Sequence, residues 1–173
     1  VDEAGADLNL DVPADLGGIT VQAPTAPYAY ELSKAFRSRG RKVVLGGIHV
    51  SLNPEEAAPH ADAVVVGEAE ATWGRLLADF RENRLRPLYR APGLSDLDAA
   101  PRPRRELLRR DAYQIPDVVQ ASKCCPYGCE FCSLHAFTGW APRFRRIDRV
   151  VEEIESLPGP VVLPPSRVMI DPL

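Results

Sequence analysis

Three short apolar runs alternate with amphipathic segments in the first half of the chain. The runs 15–21, 42–45 and 63–66 are predicted strands, and the segments 28–39 and 71–83 repeat apolar residues at helical spacing. Continuous apolar strands that alternate with helices are typical of a parallel sheet covered on both sides. The pattern therefore predicts an α/β fold with a Rossmann-like half-sheet, and ligands of such sheets bind beyond the carboxyl ends of the strands.

Glycines follow two of these predicted strands. Gly46 and Gly47 come at the end of the second run, and Gly67 precedes Glu68 after the third run. Glycine lets the backbone come close to a bulky ligand, but tight turns between strand and helix explain these glycines equally well. The glycines alone therefore do not decide whether a ligand binds at this edge of the sheet.

The middle of the chain, 84–116, is rich in proline and arginine and breaks the strand–helix pattern. The 17 prolines of the sequence are about twice the ordinary usage of roughly 5%, and proline removes a backbone donor and stops helices. The arginines of this stretch include Arg102, Arg104, Arg105, Arg109 and Arg110. A nucleic-acid patch is disfavoured because no aromatic residues are interleaved and two prolines interrupt the run, so we predict a solvated connector.

A second strand–helix pattern begins at residue 117. Residues 117–121 are a predicted strand that runs directly into a cluster of cysteines, and 160–163 begin another strand. Between them, 146–157 is a predicted helix. The residues predicted to face inward are Ile147, Val150, Val151 and Ile154. This order predicts the start of a second β-α repeat, and barrels built from such repeats place their chemistry at the carboxyl ends of the strands.

All four cysteines of the chain lie between positions 124 and 132. Cys125, Cys129 and Cys132 have the spacing C-x3-C-x2-C, which places three thiols in one short loop rich in turn residues. Three thiolates suit an iron–sulfur cluster, and a cubane cluster held by three ligands keeps one iron open to a substrate or cofactor. The loop therefore predicts a metal centre with an open position for chemistry.

Other uses of the cysteine loop remain open. A structural zinc site needs four ligands, and the fourth would have to be Cys124 or His135. A thioredoxin-type pair made of Cys129 and Cys132 leaves Cys125 without a role. A secreted disulfide framework is excluded by the size of the chain and by the crowding of its cysteines.

Charge and hydropathy limit the cellular compartments and the binding partners that are expected for the protein. The net charge of -3 gives no general attraction to nucleic acid or to an anionic membrane. No apolar run approaches the roughly 20 residues that cross a bilayer, and residues 1–7 lack the basic and apolar regions of a signal peptide. Clustered cysteines in a chain without an export signal favour a metal site in a reducing compartment. We therefore expect a cytoplasmic protein with no membrane span and no nucleic-acid partner.

Residues 125–132, which read Cys-Pro-Tyr-Gly-Cys-Glu-Phe-Cys, resemble the cluster loop of radical S-adenosylmethionine (SAM) enzymes. The resemblance continues on both sides of the loop, through 119–123 and 139–154. Upstream, 44–70 is similar to the C-terminal part of the cobalamin-binding domain in the B12-dependent branch of that family. The match covers most of residues 15–157 in the order that the family has.

The resemblance implies an enzyme with two further cofactors beside the cluster. Cys125, Cys129 and Cys132 would hold a 4Fe-4S cluster whose open iron binds SAM, and Phe131 would pack near the adenine. Reductive cleavage of SAM would give a 5′-deoxyadenosyl radical for methylation or rearrangement at an unactivated carbon. Cobalamin on the Rossmann-like domain would carry the methyl group in methylating members. The residues implied to line the cobalamin tail are Gly46, Gly47, His49, Gly67 and Glu68.

The resemblance also implies a domain order and a set of partners. Residues 1–83 would be a partial cobalamin-binding domain, 84–116 the connector, and 117–173 the start of a TIM-type radical SAM barrel. We therefore expect the chain to be a piece of a longer protein. Its substrate would be a small or lipid-like molecule, and its electron would come from a donor such as flavodoxin or ferredoxin.

Two of the departures from the family pattern concern possible ligands. Cys124 stands where the family usually has glycine, and we expect it to be a bystander rather than a ligand. The Asp-x-His-x-x-Gly motif, whose histidine ligates cobalt in some cobalamin proteins, is absent, so His49 and His60 are expected to be loop histidines. The alternatives are a truncated, non-catalytic iron–sulfur or zinc module and a simple cobalamin-binding protein.

Overall fold

The computed structural model describes residues 9–11, 13–125 and 127–163. These residues divide into two compact units, of which the first is Leu10–Ser95 and the second begins at Asp96. Each unit is described by itself. None of the described helices is long and apolar enough to cross a membrane.

The first unit is built on a sheet of four parallel strands. The strands are β1 (Leu16–Thr20), β2 (Lys42–Gly46), β3 (Ala63–Val66) and β4 (Leu88–Arg90). They are hydrogen-bonded in the order β1-β2-β3-β4, so each strand pairs with its neighbour in the sequence. The three predicted strands and the predicted Rossmann-like parallel sheet are confirmed.

Four helices connect the strands of the first unit. They are α1 (Ala26–Arg37), α2 (Ile48–Leu52), α3 (Pro54–Ala57) and α4 (Trp73–Arg81). Helix α1 ends shortly before Gly40, whose φ of 75° is a left-handed conformation that favours glycine. Helix α2 was not predicted, because its five residues are too few to show a helical period.

The sheet buries apolar side chains on both faces. One cluster is formed by Val21, Ala26, Ala29, Val43, Leu45, Val50, Ala57 and Val64. The other is formed by Val44, Ala63, Val65, Leu76 and Tyr89. Neighbouring residues of one strand fall in different clusters because successive side chains of a strand point to opposite faces. The continuous apolar runs of β2 and β3 therefore correspond to strands that are covered on both sides, as predicted.

Strand β4 lies inside the stretch that the sequence predicts as a connector. It pairs with β3, with Val65 opposite Tyr89, and Tyr89 is fully buried. The Tyr89 hydroxyl accepts a hydrogen bond from the Arg86 amide at 3.0 Å and donates one to Asp79 at 2.9 Å. The first unit consequently continues past the predicted domain end at residue 83 as far as Ser95.

The described part of the second unit contains four short strands and two α-helices. The strands are β5 (Asp117–Val118), β6 (Ser122–Lys123), β7 (Arg143–Phe144) and β8 (Val161–Val162), and the helices are α5 (Leu134–Thr138) and α6 (Ile147–Glu155). Strands β5 and β8 are parallel, whereas β6 and β7 are antiparallel. Helix α6 lies between β5 and β8 in the sequence. This parallel pair therefore has the predicted strand–helix–strand order. Within residues 96–125 and 127–163, parallel pairing extends no further, so a barrel remains a prediction.

Helix α6 has a different buried face from the predicted one. Val150 and Glu153 are buried, whereas Ile147 is 81% exposed and Val151 is 44% exposed. The prediction is therefore wrong for Ile147 and Val151. The physical reason is the Glu153 carboxylate, which is drawn inward by two guanidinium groups that are described below.

The arginines of the predicted connector are also less solvated than expected. Arg105 forms an ion pair of 2.6 Å with Glu153, and its side chain is only 14% exposed. Arg110 bonds both carboxylate oxygens of Asp117, at 2.9 Å and 2.5 Å. These arginines are part of the folded second unit, which corrects the prediction of a solvated connector at these two positions.

Candidate functional site

A tight turn containing Gly47 follows strand β2 at the carboxyl edge of the first sheet. Gly47 has φ 96° and ψ -177°, a combination that is essentially restricted to glycine. A Cβ atom at this position would lie 2.8 Å from the carbonyl oxygen of Val21. The Val21 oxygen also accepts a hydrogen bond from the His49 amide at 3.2 Å. Packing inside the protein therefore explains why residue 47 is glycine.

Ser51 joins the ends of strands β2 and β3. Its hydroxyl donates to the carbonyl oxygen of Gly47 at 2.8 Å and accepts from the amide of Gly67 at 3.0 Å. Gly67 has φ 89°, and a Cβ atom there would lie 2.9 Å from the Cβ of Ala91. Ser51 is not among the predicted site residues, and its one signal in the sequence is its place four residues after Gly47.

His49 and Glu68 bond to other residues of the first unit. His49 Nε2 lies 3.2 Å from Glu56 Oε1, and the hydroxyl of Tyr30 donates to the same oxygen at 3.0 Å. The carboxylate of Glu68, which is buried, accepts hydrogen bonds from the amide and the hydroxyl of Ser95. Their predicted contacts with a cobalamin tail stay predictions.

The Glu56 cluster shifts two pKa values in opposite directions. Hydrogen bonds from His49 and then Tyr30 lower the pKa of Glu56. Burial, followed by the hydrogen bond to Glu56, raises the pKa of Tyr30 to about 12. The Tyr30 ring also stacks on His60, with ring centroids 4.1 Å apart. The His49 ring centroid lies 6.4 Å from that of Tyr30, so both histidines of the first unit lie beside this tyrosine.

The carboxyl edge of the sheet suits the approach of a bulky ligand. Strand β2 ends at Gly46, β3 is followed by Gly67, and β1 ends at the exposed Thr20. A Cβ atom on Gly46 would have only ordinary van der Waals contacts, with Val65 at 3.7 Å. These residues present backbone and small side chains at the edge where parallel sheets bind ligands. They fit a large macrocycle such as cobalamin.

Cys124 is set apart from the other thiols of the cysteine loop. It is buried, and its Sγ donates to the carbonyl oxygen of Gly139 at 2.8 Å. Its φ is 85°, a left-handed conformation that favours glycine, which gives a physical reason for the glycine that the family usually has here. These contacts support its expected role as a bystander.

The other three cysteines have the chemistry of a cluster site. Cys129 is exposed, Cys125 and Cys132 are half-buried, and none of the three is in a disulfide. The amide of Cys132 donates to the carbonyl oxygen of Cys129 at 3.0 Å, which closes a turn between the last two thiols. Phe131 is 89% exposed beside them. Three accessible thiols and an exposed aromatic ring fit the donor set that the sequence predicts.

The structure does not gather these thiols around one point. Among the residues that it describes, no three histidine, cysteine or carboxylate side chains are arranged so that they could hold a metal ion. The assignment of Cys125, Cys129 and Cys132 as ligands therefore stays a prediction from donor chemistry and spacing.

Trp140 packs against the cysteine loop. A Cβ atom on Gly128 would lie 2.9 Å from two carbons of the Trp140 ring, so the exposed ring would have to shift to admit a larger residue. The His135 ring packs against Trp140, with centroids 4.4 Å apart, and His135 Nδ1 is buried without a hydrogen-bond partner among the described residues. The contact accounts for Gly128, which the spacing of the cysteines did not explain.

Known proteins match the chain in agreement with this fold. Residues 7–77 match the family model described as B12 binding domain. The chain is 40% identical over 148 residues to the bacteriochlorophyllide d C-8(2)-methyltransferase of Chlorobaculum tepidum. The matched stretch covers 80% of this chain and 32% of that protein. The bacteriochlorophyllide d C-12(1)-methyltransferase of the same organism is 29% identical over 156 residues, with shares of 84% and 34%.

A third relative has a different named activity. The hopanoid C-2 methylase of Rhodopseudomonas palustris is 29% identical over 119 residues, which are 66% of this chain and 22% of that protein. The chain spans about a third of the length of the two bacteriochlorophyllide methyltransferases.

The parallel sheet, its glycine turns and the family match together define a B12-binding domain in the first half of the chain. The two bacteriochlorophyllide methyltransferases match about four fifths of the chain, which agrees with its resemblance to the B12-binding-domain radical SAM proteins.

Proposed function

We propose that the chain is part of a radical SAM iron–sulfur enzyme of the cobalamin-binding branch. Cys125, Cys129 and Cys132 are the proposed ligands of a 4Fe-4S cluster, and Phe131 is proposed to pack against the adenine of SAM. The first unit is proposed to bind cobalamin at the carboxyl edge of its sheet. The reaction is methylation or rearrangement at an unactivated carbon of a small or lipid-like substrate.

One observation carries this proposal: the structure separates Cys124 from the other three thiols. Cys124 is buried and bonded to Gly139, whereas the three others are at least partly accessible. Three ligands are the number that leaves one iron of a cubane cluster open. A zinc site needs a fourth ligand, and Cys124, the fourth thiol of the loop, is buried and bonded to Gly139 instead.

The chain's own residues bind and orient the cofactors in this proposal. When bound, the reduced cluster supplies the electron that cleaves SAM to a 5′-deoxyadenosyl radical. The three thiols must be deprotonated to act as ligands. The hydrogen bond from the Cys132 amide to the Cys129 carbonyl oxygen closes the backbone turn between two of these residues. Electrons would come from a partner such as flavodoxin or ferredoxin.

The named activities of the relatives favour methylation over rearrangement. Two are named as methyltransferases of a bacteriochlorophyllide, and a third as a methylase of a hopanoid. A macrocycle and a polycyclic lipid share a large apolar carbon skeleton. We therefore propose a bulky apolar substrate for the whole protein.

Anaerobic reconstitution with iron and sulfide tests the cluster assignment. We expect about four irons and four sulfides per chain for the unchanged protein, together with the broad visible absorption of an iron–sulfur centre. Replacing Cys125, Cys129 or Cys132 with alanine should abolish stoichiometric cluster assembly. Cys124→Ala is the matched control in the same loop and should retain it.

Three outcomes would contradict this proposal. Stoichiometric zinc in the absence of any cluster would favour the alternative of a non-catalytic zinc module. Loss of the cluster in Cys124→Ala, with retention in one of the other three variants, would refute the ligand assignment. A cluster that forms but does not respond to SAM would favour a non-catalytic iron–sulfur module.

Cobalamin binding is tested separately by titration with hydroxocobalamin, followed by its visible spectrum after gel filtration. Gly46→Leu places a bulky side chain at the proposed edge and should weaken binding by about tenfold, since a misplaced large group costs about 1.4 kcal/mol or more. Substitution at the exposed Leu52, which is in the neighbouring helix, serves as the control. Equal binding by Gly46→Leu would place the cobalamin elsewhere.

A further inference from the structure

A buried carboxylate in helix α6 joins two arginines from distant parts of the second unit. Glu153 is only 1% exposed. Its Oε1 lies 2.6 Å from Arg105 Nη2, and its Oε2 lies 2.7 Å from Arg145 Nη1. Arg105 precedes Glu153 by 48 residues, and Arg145 lies in the segment between strand β7 and helix α6.

Both arginines also bond the backbone that leads into the cysteine loop. Arg105 Nη2 donates to the carbonyl oxygen of Val118 at 2.6 Å. Arg145 Nη1 donates to the carbonyl oxygen of Gln120 at 3.2 Å, and the Arg145 amide donates to Ala121 at 2.9 Å. Three carbonyl groups within four residues are therefore bonded to this pair of arginines, immediately before strand β6 and Cys124.

The carboxylate is what keeps the two guanidinium groups together. Two cations that share a largely buried space repel each other, and removing the partner of a buried charge is strongly destabilising. Burial raises the pKa of Glu153, but hydrogen bonds from Arg105 and Arg145 outweigh this and hold it below the ordinary value. Glu153 is therefore charged at neutral pH and balances one of the two positive charges.

We propose that Glu153 is a positioning residue for the cysteine loop, acting through Arg105 and Arg145. The proposal rests on the proposed function for its link to the cluster, because Cys125, Cys129 and Cys132 follow the segment that the two arginines hold. Glu153 itself touches none of the thiols in this proposal. It fixes the backbone at 118–121, from which the loop begins.

Glu152 provides a matched control for the same change of charge. It is the preceding residue of the same helix, and its side chain is 56% exposed. It pairs with Arg102 at 2.9 Å and Arg149 at 3.4 Å, both of which are exposed as well. Glu153→Gln and Glu152→Gln therefore alter the net charge and helix α6 equally, but only the first removes the buried carboxylate.

Amide hydrogen exchange on the metal-free chain measures the positioning directly. The reporters are the Val119 amide, bonded to Val162 at 3.0 Å, and the Arg145 amide, bonded to Ala121. We expect about tenfold faster exchange at both reporters in Glu153→Gln, because local opening becomes easier. Glu152→Gln should stay within about twofold of the unchanged chain. The Val64 amide of the first unit, bonded to Pro87, is the internal reference.

A second variant covers the case in which Glu153→Gln unfolds the second unit. Arg105→Gln leaves Glu153 paired with Arg145 but removes the bond to the Val118 carbonyl. It should accelerate exchange at Val119 more than at Arg145. Exchange equal to that of Glu152→Gln in both Glu153→Gln and Arg105→Gln would overturn the proposal.

Release of iron from the reconstituted protein to a chelator connects the positioning to the cluster. We expect release from Glu153→Gln to be about tenfold faster than from Glu152→Gln, with unchanged numbers of free thiols before reconstitution. Equal release rates would overturn the link to the cluster. If the unchanged chain assembles no cluster, the proposed function fails, and the hydrogen-exchange comparison still decides whether Glu153 positions residues 118–121.

Discussion

Replacing Gly47 with alanine should destabilise the first unit far more than the same change at Gly46. Alanine at 47 would have to adopt φ 96° and ψ -177°, which costs about 1–3 kcal/mol for a residue with a side chain. Its Cβ would also lie 2.8 Å from the Val21 oxygen and 3.0 Å from Thr20 Cγ2. Relieving those contacts costs about 1–3 kcal/mol more. The sum is a loss of about 2–6 kcal/mol in the free energy of unfolding.

Gly46→Ala is the matched control because it adds the same atom one residue earlier. Its Cβ would meet Val65 at 3.7 Å, an ordinary contact, so we expect a change below about 0.5 kcal/mol. Urea unfolding is followed by the fluorescence of Trp73, whose ring lies against Gly18 in strand β1. A Trp140→Phe background removes the other tryptophan.

Thermal unfolding gives the same comparison on a second scale. For a domain of about 60–100 residues, each 1 kcal/mol lowers Tm by about 4–8 °C. Gly47→Ala should therefore lower the Tm of the first unit by roughly 10 °C or more. A Gly47→Ala protein as stable as Gly46→Ala would refute the conclusion that internal packing demands glycine at position 47.

Three further predictions concern polar groups. Ser51→Ala leaves the Gly67 amide without its partner and should cost about 1–3 kcal/mol by urea unfolding, whereas a change below about 0.3 kcal/mol would contradict the bridge between β2 and β3. Tyr89→Phe removes the hydroxyl that bonds Asp79 and should cost about 1–3 kcal/mol; an unchanged unfolding midpoint would show that these bonds contribute nothing. The pKa of Glu153 is lower in the folded than in the unfolded chain. The stabilisation that its charge provides is therefore present above the ordinary pKa of 4.5 and is lost as the pH falls through the folded pKa. Acid unfolding of the second unit, followed by Trp140 fluorescence in a Trp73→Phe background, should lose this component in Glu153→Gln; identical acid transitions would contradict it.

The centre of the first sheet was predictable because strands β2 and β3 are buried on both faces. Continuous apolar runs identified β1, β2 and β3, and the amphipathic period identified α1 and α4. Strand β4 was missed because it has three residues, of which only Tyr89 is buried. Its place in the sheet depends on pairing with β3, which a local pattern does not show.

The second unit was less predictable because charges decide its packing. Counting apolar residues placed Ile147 on the inner face of α6, but the structure buries Glu153 instead. The cause is Arg105, which is remote in sequence and looked like part of a solvated connector. A buried ion pair between distant residues leaves no periodic signal in the sequence.

The candidate site was also predictable only in the part that depends on local sequence. The cysteine spacing singled out Cys125, Cys129 and Cys132 from local sequence, and the structure adds the buried bond that sets Cys124 apart. Ser51 was not predictable because its two hydrogen bonds connect turns that only the folded sheet brings together.

The EPR spectrum of the reduced, reconstituted protein, recorded with and without SAM, tests the proposed SAM-binding cluster. We predict a cluster signal whose g values shift when SAM is added, because the open iron gains ligands from SAM. The signal should be retained in Cys124→Ala and lost in Cys132→Ala. An EPR signal whose g values do not change when SAM is added would contradict a cluster held by Cys125, Cys129 and Cys132. A signal that persists in Cys132→Ala would contradict it as well.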